Sequence, residues 1–114
     1  MAQERRLFVR FAMSGSIIVQ AEPVQSVSID CELVDLGFDG VGLYSKKQLA
    51  VGSQVKFLVI NRQMNVNLGG TAKVVYCQRA QDKKDIFRAG LSFIEVDRQQ
   101  VRSILMQARD MSAA

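Results

Sequence analysis

The strongest constraint on this chain is an alternation of apolar and polar residues that runs through most of its length and then stops. From Ser28 the residues Ser28, Asp30 and Glu32 fall on one side, and Ile29, Cys31 and Leu33 on the other. That period of two is the pattern of a half-buried β-strand. Ser16 to Gln20 reads as a shorter apolar strand, closed by a loop around Pro23, the only proline. Gln54 to Ile60 repeats the alternation with Val55, Phe57 and Val59 on one side. After a polar turn at Asn61-Arg62-Gln63 it resumes at Met64, Val66 and Leu68. It then passes Gly69-Gly70, where a bulge or kink is expected, into Ala72 to Gln78. Glycines from Gly37 to Gly42 predict a turn before a short strand ending near Tyr44, and Leu49 to Gly52 predicts another. Gln81 to Asp85 makes a charged hairpin tip, and Ile86 to Ile94 the last strand.

Beyond that strand the period changes. Val101, Ile104, Leu105, Ala108 and Met111 recur at three and four residues, which predicts an amphipathic helix over about 97–110. Asp97, with Gln100 three positions on, supplies a capping-box-like start. About six short strands followed by one terminal helix predict a mainly β fold: a six-stranded antiparallel barrel with a C-terminal α-helix packed on it. The barrel spans about residues 15–95 and follows a flexible N-terminal arginine segment, 1–12. At 114 residues the chain is read as a single domain, 1–114, with one modest core and no internal repeat.

Composition narrows the chemistry. There is no histidine, no nucleophile elbow and no convincing pair of carboxylates, so no catalytic residue is assigned and an enzyme is not expected. Cys31 and Cys77 each sit in a strand-like segment and read as small buried hydrophobes rather than a disulfide. Two cysteines without histidine and without a C-x-x-C pair make a poor metal site, so no metal or cofactor is expected. No apolar run approaches the ~18 residues of a membrane span, and the N-terminus lacks the apolar core of a signal peptide. A cytoplasmic protein without membrane insertion follows as the expectation. The net charge of +4 favours an anionic partner without naming one.

Two clusters carry the chemistry. Arg5-Arg6-Leu7-Phe8-Val9-Arg10 holds three guanidiniums within six residues. Arginine is the side chain best suited to bidentate capture of phosphate and of the guanine O6/N7 edge. In an extended segment Arg6 and Arg10 point the same way, roughly 13 Å apart at ~3.3 Å per residue, with Arg5 on the opposite side. The second cluster is Asp35-Leu36-Gly37-Phe38-Asp39-Gly40 at the end of an alternating strand. Its glycines would let backbone N–H groups approach a ligand, and its carboxylate can accept from guanine N1–H and N2–H₂ or hold an arginine in place. A solvated basic terminus and a tight hairpin are the alternative readings of each cluster taken singly.

Taken together, Arg6-x-x-x-Arg10 and Asp35-x-Gly37-x-x-Gly40 resemble the PilZ domain family, whose marks are an R-x-x-x-R and a [D/N]-x-S-x-x-G motif. Val34 to Leu43 is similar to the family's strand-turn-strand, Leu49-x-x-Gly52-x-x-Val55 to its next turn, and Ala89-Gly90-Leu91-Ser92-Phe93 to its final strand. The resemblance covers roughly residues 4 to 107. It implies a six-stranded barrel that binds the bacterial second messenger cyclic di-GMP and changes conformation to signal to a partner protein. On this resemblance Arg6 and Arg10 clamp phosphate and guanine, and Arg5 matches an extra arginine associated with an intercalated ligand dimer. Asp35, Gly37 and Gly40 occupy the second motif, with Gly37 standing where the family has serine. A lost neutral hydrogen bond is worth ~0.5–1.5 kcal/mol, enough to weaken binding without abolishing it. Tyr76 is expected either to cover a guanine face or to be a barrel-wall tyrosine.

The expected partners are therefore cyclic di-GMP and an unidentified effector protein in motility or biofilm control, for a monomer or weak dimer. The alternative is a ligand-blind PilZ-like interaction module in pilus, flagellar or exopolysaccharide control, which Gly37 favours. A small basic barrel for single-stranded nucleic acid is a third reading. Its usual interleaving of aromatics with Lys and Arg is missing, and no DNA binding is expected.

Overall fold

The structure, a computed structural model, describes residues 9–21 and 28–113. Its strands are β1 (Arg10–Ala12), β2 (Ser16–Ala21), β3 (Ser28–Gly37), β4 (Gly40–Ser45), β5 (Gln54–Asn61), β6 (Val66–Arg79) and β7 (Phe87–Val96). One helix, α1 (Arg98–Ala113), follows them. The sheet order β3-β2-β5-β6-β7-β4 closes on itself through a β4–β3 ladder, and every pairing is antiparallel. That is the expected six-stranded barrel with its terminal helix.

The short β1 adds no seventh wall. It lies on the same edge of β3 as β2, pairing Arg10, Phe11 and Ala12 with Gly37, Leu36 and Asp35. The Met13 N–H donates to the Val34 carbonyl at 3.0 Å and the Leu33 N–H to the Gly15 carbonyl at 3.0 Å, which carries the edge from β1 into β2. Residues 10–12, read from the sequence as part of a flexible arginine segment, are thus a strand pinned to the barrel.

The alternating apolar residues point inward as their spacing requires. Ile17, Val19, Leu36, Val41, Leu43, Val59, Leu68, Val74 and Ala89 are fully buried, and the Phe57 and Phe93 rings stack with centroids 5.3 Å apart. Each buried aliphatic side chain contributes about 1.5–3 kcal/mol, so the interior row is the main source of stability. Buried Asn61 is satisfied: its amide donates to the Ser14 carbonyl at 2.6 Å, and its oxygen accepts from the Met64 N–H at 2.8 Å.

The helix covers one end of the barrel with Val101, Ile104 and Ala108. Asp97 caps it, its Oδ1 accepting from the Gln99 and Gln100 N–H groups at 3.0 and 3.1 Å. The capping box is only half made, because the Gln100 side chain donates instead to the Asn67 carbonyl of β6 at 2.7 Å. Among the described residues no helix is long and apolar enough to cross a membrane.

Two sequence-level expectations need correction. The connection between β3 and β4 is only Phe38-Asp39, and Gly40 and Gly42 belong to β4 rather than to a turn over Gly37 to Gly42. Neither carries a positive φ; that conformation occurs at Gly15 and Gly52 among the glycines. What Gly40 provides is space, since a Cβ there would collide with the Leu91 carbonyl of the neighbouring strand. Likewise Gly69 and Gly70 pair regularly with Leu58 and Phe57 of β5, and the shift against β7 comes just after them, between Thr71 and Ala72.

Candidate functional site

Two bulges decide which side chains reach the outer surface. Along β3 the inward residues are Cys31 and Leu33, so strict alternation would also send Asp35 inward. Between Leu33↔Leu43 and Asp35↔Gly42 the strand instead carries one extra residue, Val34. The parity flips: Leu36 is fully buried and Asp35 faces outward. On β6 the same device operates between Val74↔Leu91 and Tyr76↔Gly90, where Val75 is the extra residue. Val74 is fully buried while Tyr76 is 37% exposed. A bulge that re-aims a side chain is a recurrent feature next to functional sites.

The re-aimed residues meet on one outer face across β1, β3, β4, β7 and β6. Arg10 pairs with Gly37 and so shares a face with Asp35. Its Nη2 and Nε donate to Asp35 Oδ1 at 2.8 and 3.2 Å, and its Nη1 to Asp39 Oδ1 at 3.3 Å. From the other side Arg88 sets its Nη2 3.5 Å from Asp35 Oδ2, while its Nη1 donates to the Ala89 and Leu43 carbonyls at 2.9 and 3.4 Å. One carboxylate therefore sits between two guanidiniums that approach from strands far apart in sequence. Arg88 also lies over the Tyr44 and Tyr76 rings, 5.7 and 6.0 Å from their centroids.

Glycines make the floor. A Cβ at Gly42 would lie 2.5 Å from Asp35 Oδ1 and 2.6 Å from Arg88 Nη1. A Cβ at Gly90 would enter the Tyr76 ring. Only hydrogen at these two positions lets the carboxylate, the guanidinium and the phenol lie flat against the barrel wall. The result is a cavity of about 370 Å³ whose lining includes Arg10, Asp35, Asp39, Tyr76, Arg88 and Gly90. It offers two cations, an aromatic face and a floor without side chains, a combination that suits a flat, anionic, hydrogen-bonding ligand.

The turn beside the cavity is held from both sides. The Phe93 N–H donates to the Asp39 carbonyl at 2.8 Å, and Arg98 Nη1 of α1 donates to the Phe38 carbonyl at 2.9 Å. Arg98 additionally lies over the Phe38 ring at 5.3 Å. The turn beside the cavity and the terminal helix are thereby mechanically joined.

Of the residues singled out from the sequence, Arg10, Asp35 and Tyr76 line this cavity, and Gly37 and Gly40 flank it at the ends of β3 and β4. Arg5 and Arg6 lie outside the described residues. Sequence reasoning missed Arg88, Asp39 and Tyr44. The signal for Arg88 was present: it alternates with Gly90 and Ser92 on one face of the last strand, a cation beside a gap. Away from the cavity, Cys31 is buried and Cys77 half-buried, and neither is in a disulfide. Burial pushes the Cys31 thiol up, partly offset by a hydrogen bond with Ser45, and Asp30 and Cys77 push it up further.

Comparison with solved structures bears on the fold. The motility inhibitor MotI/DgrA of Bacillus subtilis superposes with a TM-score of 0.77 at 12% identity, covering 96% of this chain and 52% of that one. The PilZ domain of Escherichia coli YcgR, solved with c-di-GMP, gives 0.72 at 18% identity over 95% of this chain and 94% of that domain. The PilZ domain of CeSA from a cellulose-synthesizing bacterium gives 0.56 at 16% identity over 91% and 98%. This chain spans about half the length of MotI/DgrA, so what it shares with that protein is one barrel. No curated protein matches it in sequence. The sequence model of the PilZ domain matches residues 4–108, which takes in both motifs, every strand and most of α1, and the chain belongs to the PilZ domain family.

Proposed function

We propose that this protein is a cyclic di-GMP receptor that hands the signal to a partner protein. The observation that carries the reading is the meeting of Arg10 and Asp35, from the two motifs, on the outer face beside Arg88 and Tyr76. Arg10 would release Asp35 and take phosphate oxygens and the guanine O6/N7 edge through charge-assisted bonds. Asp35, still flanked by Arg88, would accept from guanine N1–H and N2–H₂. The Tyr76 ring would cover a base face.

Arg6 is assigned to the same clamp as Arg10, and Arg5 to setting how many ligand molecules bind. Both assignments rest on the motif match. Gly40 would let the ligand approach the strand backbone, and Gly37 costs the hydroxyl of the family's serine. Signalling would follow from the joint between the ligand-facing turn and α1 through Arg98 and Phe38. A ligand that displaces Arg10 and presses on this turn would alter the surface of the helix offered to an effector.

Isothermal titration of the full chain with cyclic di-GMP tests the reading, with stoichiometry measured. Heat at low micromolar ligand, lost in Arg10→Ala, is the expected result. Absence of heat at tens of micromolar, in protein shown to be folded, would leave a ligand-blind interaction module as the better description. Partner binding would then be indifferent to Arg10→Ala.

A further inference from the structure

We propose that Asp39 is a built-in competitor for Arg10, and that the glycine at position 37 is what allows it to compete. The inference rests on the receptor reading above and adds a residue that sets its affinity. Arg10 spends its guanidinium on two carboxylates at once: Nε and Nη2 on Asp35 and Nη1 on Asp39. Asp35 belongs to the recognised motif and is flanked by Arg88 as well. Among the described residues Asp39 has no such second cation, and Arg10 is its ion-pair partner.

Position 37 controls this arrangement. Gly37 is the register partner of Arg10 on β3. A Cβ there would stand 3.1 Å from Arg10 Cγ, 3.1 Å from Asp39 Oδ1 and 3.2 Å from Arg10 Nη1. All three near contacts are atoms of the same closed arrangement, and each is tighter than a side chain ordinarily tolerates. Arg10 is 36% exposed and has room to move outward, so a side chain at 37 would lift it off Asp39. The departure from the family's serine therefore does two things. It removes a hydroxyl, and it lets a second anion hold the arginine that the ligand needs.

A phosphate arriving at Nη1 must displace the Asp39 carboxylate and then sit beside it. The displaced carboxylate is 46% exposed and returns to water at little cost, so the effect is a modest raising of the ligand concentration needed, not a block. The Asp39 backbone carbonyl stays bonded to the Phe93 N–H whatever the side chain, so Asp39→Asn keeps the turn in place.

The test is a cycle of Asp39→Asn, Gly37→Ala and the double variant, titrated with cyclic di-GMP beside the wild type. Asp39→Asn is expected to bind about two- to five-fold tighter, the range set by an exposed ion pair. Gly37→Ala is expected to move in the same direction, and the double variant to gain no more than Asp39→Asn alone, because both remove one interaction. Asp39→Asn that binds equally or more weakly overturns the proposal. A second measurement needs no ligand: rotation about the Nε–Cζ bond of Arg10, followed by NMR of the arginine side chains. Slow rotation in the wild type that quickens in Asp39→Asn is expected, and identical rates overturn the proposal. If rotation responds but no variant gives heat with the ligand, the ion pair stands and the receptor reading falls.

Discussion

The Tyr76 ring occupies the volume where a side chain of Gly90 would begin: a Cβ there would lie 2.9 Å from both Cδ1 and Cζ. The two residues are register partners on β6 and β7, and the bulge at Val75 brings them onto the same outer face. The aromatic wall of the cavity is therefore set by a missing methyl group on the neighbouring strand.

Gly90→Ala should push Tyr76 off the barrel wall. An overpacked site of this kind costs about 1–3 kcal/mol. A lower urea midpoint together with an altered tyrosine signal in near-ultraviolet circular dichroism would register it. Ligand affinity should fall with it if Tyr76 covers a base.

Arg88→Ala removes the second cation on Asp35 and leaves the Leu43 and Ala89 carbonyls without this donor. Affinity for cyclic di-GMP is expected to drop at least tenfold, since charge-assisted bonds are worth roughly 1.5–3 kcal/mol. Arg88→Lys should recover little, because a point charge cannot serve a carboxylate and two carbonyls in one plane. Titration of the two variants side by side checks both statements.

Asp97→Ala should cost about 0.5–2 kcal/mol of stability through loss of the helix cap on the Gln99 and Gln100 N–H groups. The urea midpoint reports it. The contacts proposed for the ligand lie on the barrel, so binding by the folded variant should stay near the wild-type value. A large loss of affinity would mean that α1 takes part in the binding event itself.

Cys31 predicts a pH dependence. Burial raises its thiol in the folded protein, so the folded state holds the proton more tightly than the unfolded chain does. Stability from this source is complete below the unfolded thiol value near 8.5 and declines as pH rises from there through the folded value. The fall in urea midpoint between pH 7 and pH 10 should be larger for the wild type than for Cys31→Ala. Equal falls would show that Cys31 contributes nothing to it.

Reading the chain alone goes far where physics is local. The alternation at Ser28 to Leu33 and at Val55, Phe57 and Val59 marks strands whose buried faces are the ones found. The change of period at Val101 marks the helix, and Asp97 its cap. Arg10 and Asp35 were legible as halves of a candidate site because their motifs are short and contiguous. Arg88 carried a local signal in its alternation with Gly90 and Ser92, but nothing local joined it to Asp35, 53 positions away.

The bulges lie beyond local reading for a related reason. An extra residue on one strand is defined only by counting against its partner, and Val34 and Val75 look like ordinary members of apolar runs. Parity read along β3 alone would bury Asp35, and along β6 alone would bury Tyr76. Gly40 and Gly42 look like turn formers because sequence shows their freedom and not the neighbour that needs the space. Residue order by itself determined a β-barrel with a terminal helix, and the residue types for holding an anion. Tertiary structure decided which of those residues face one another, because register, bulges and close strand approach depend on pairs of strands and not on either strand alone.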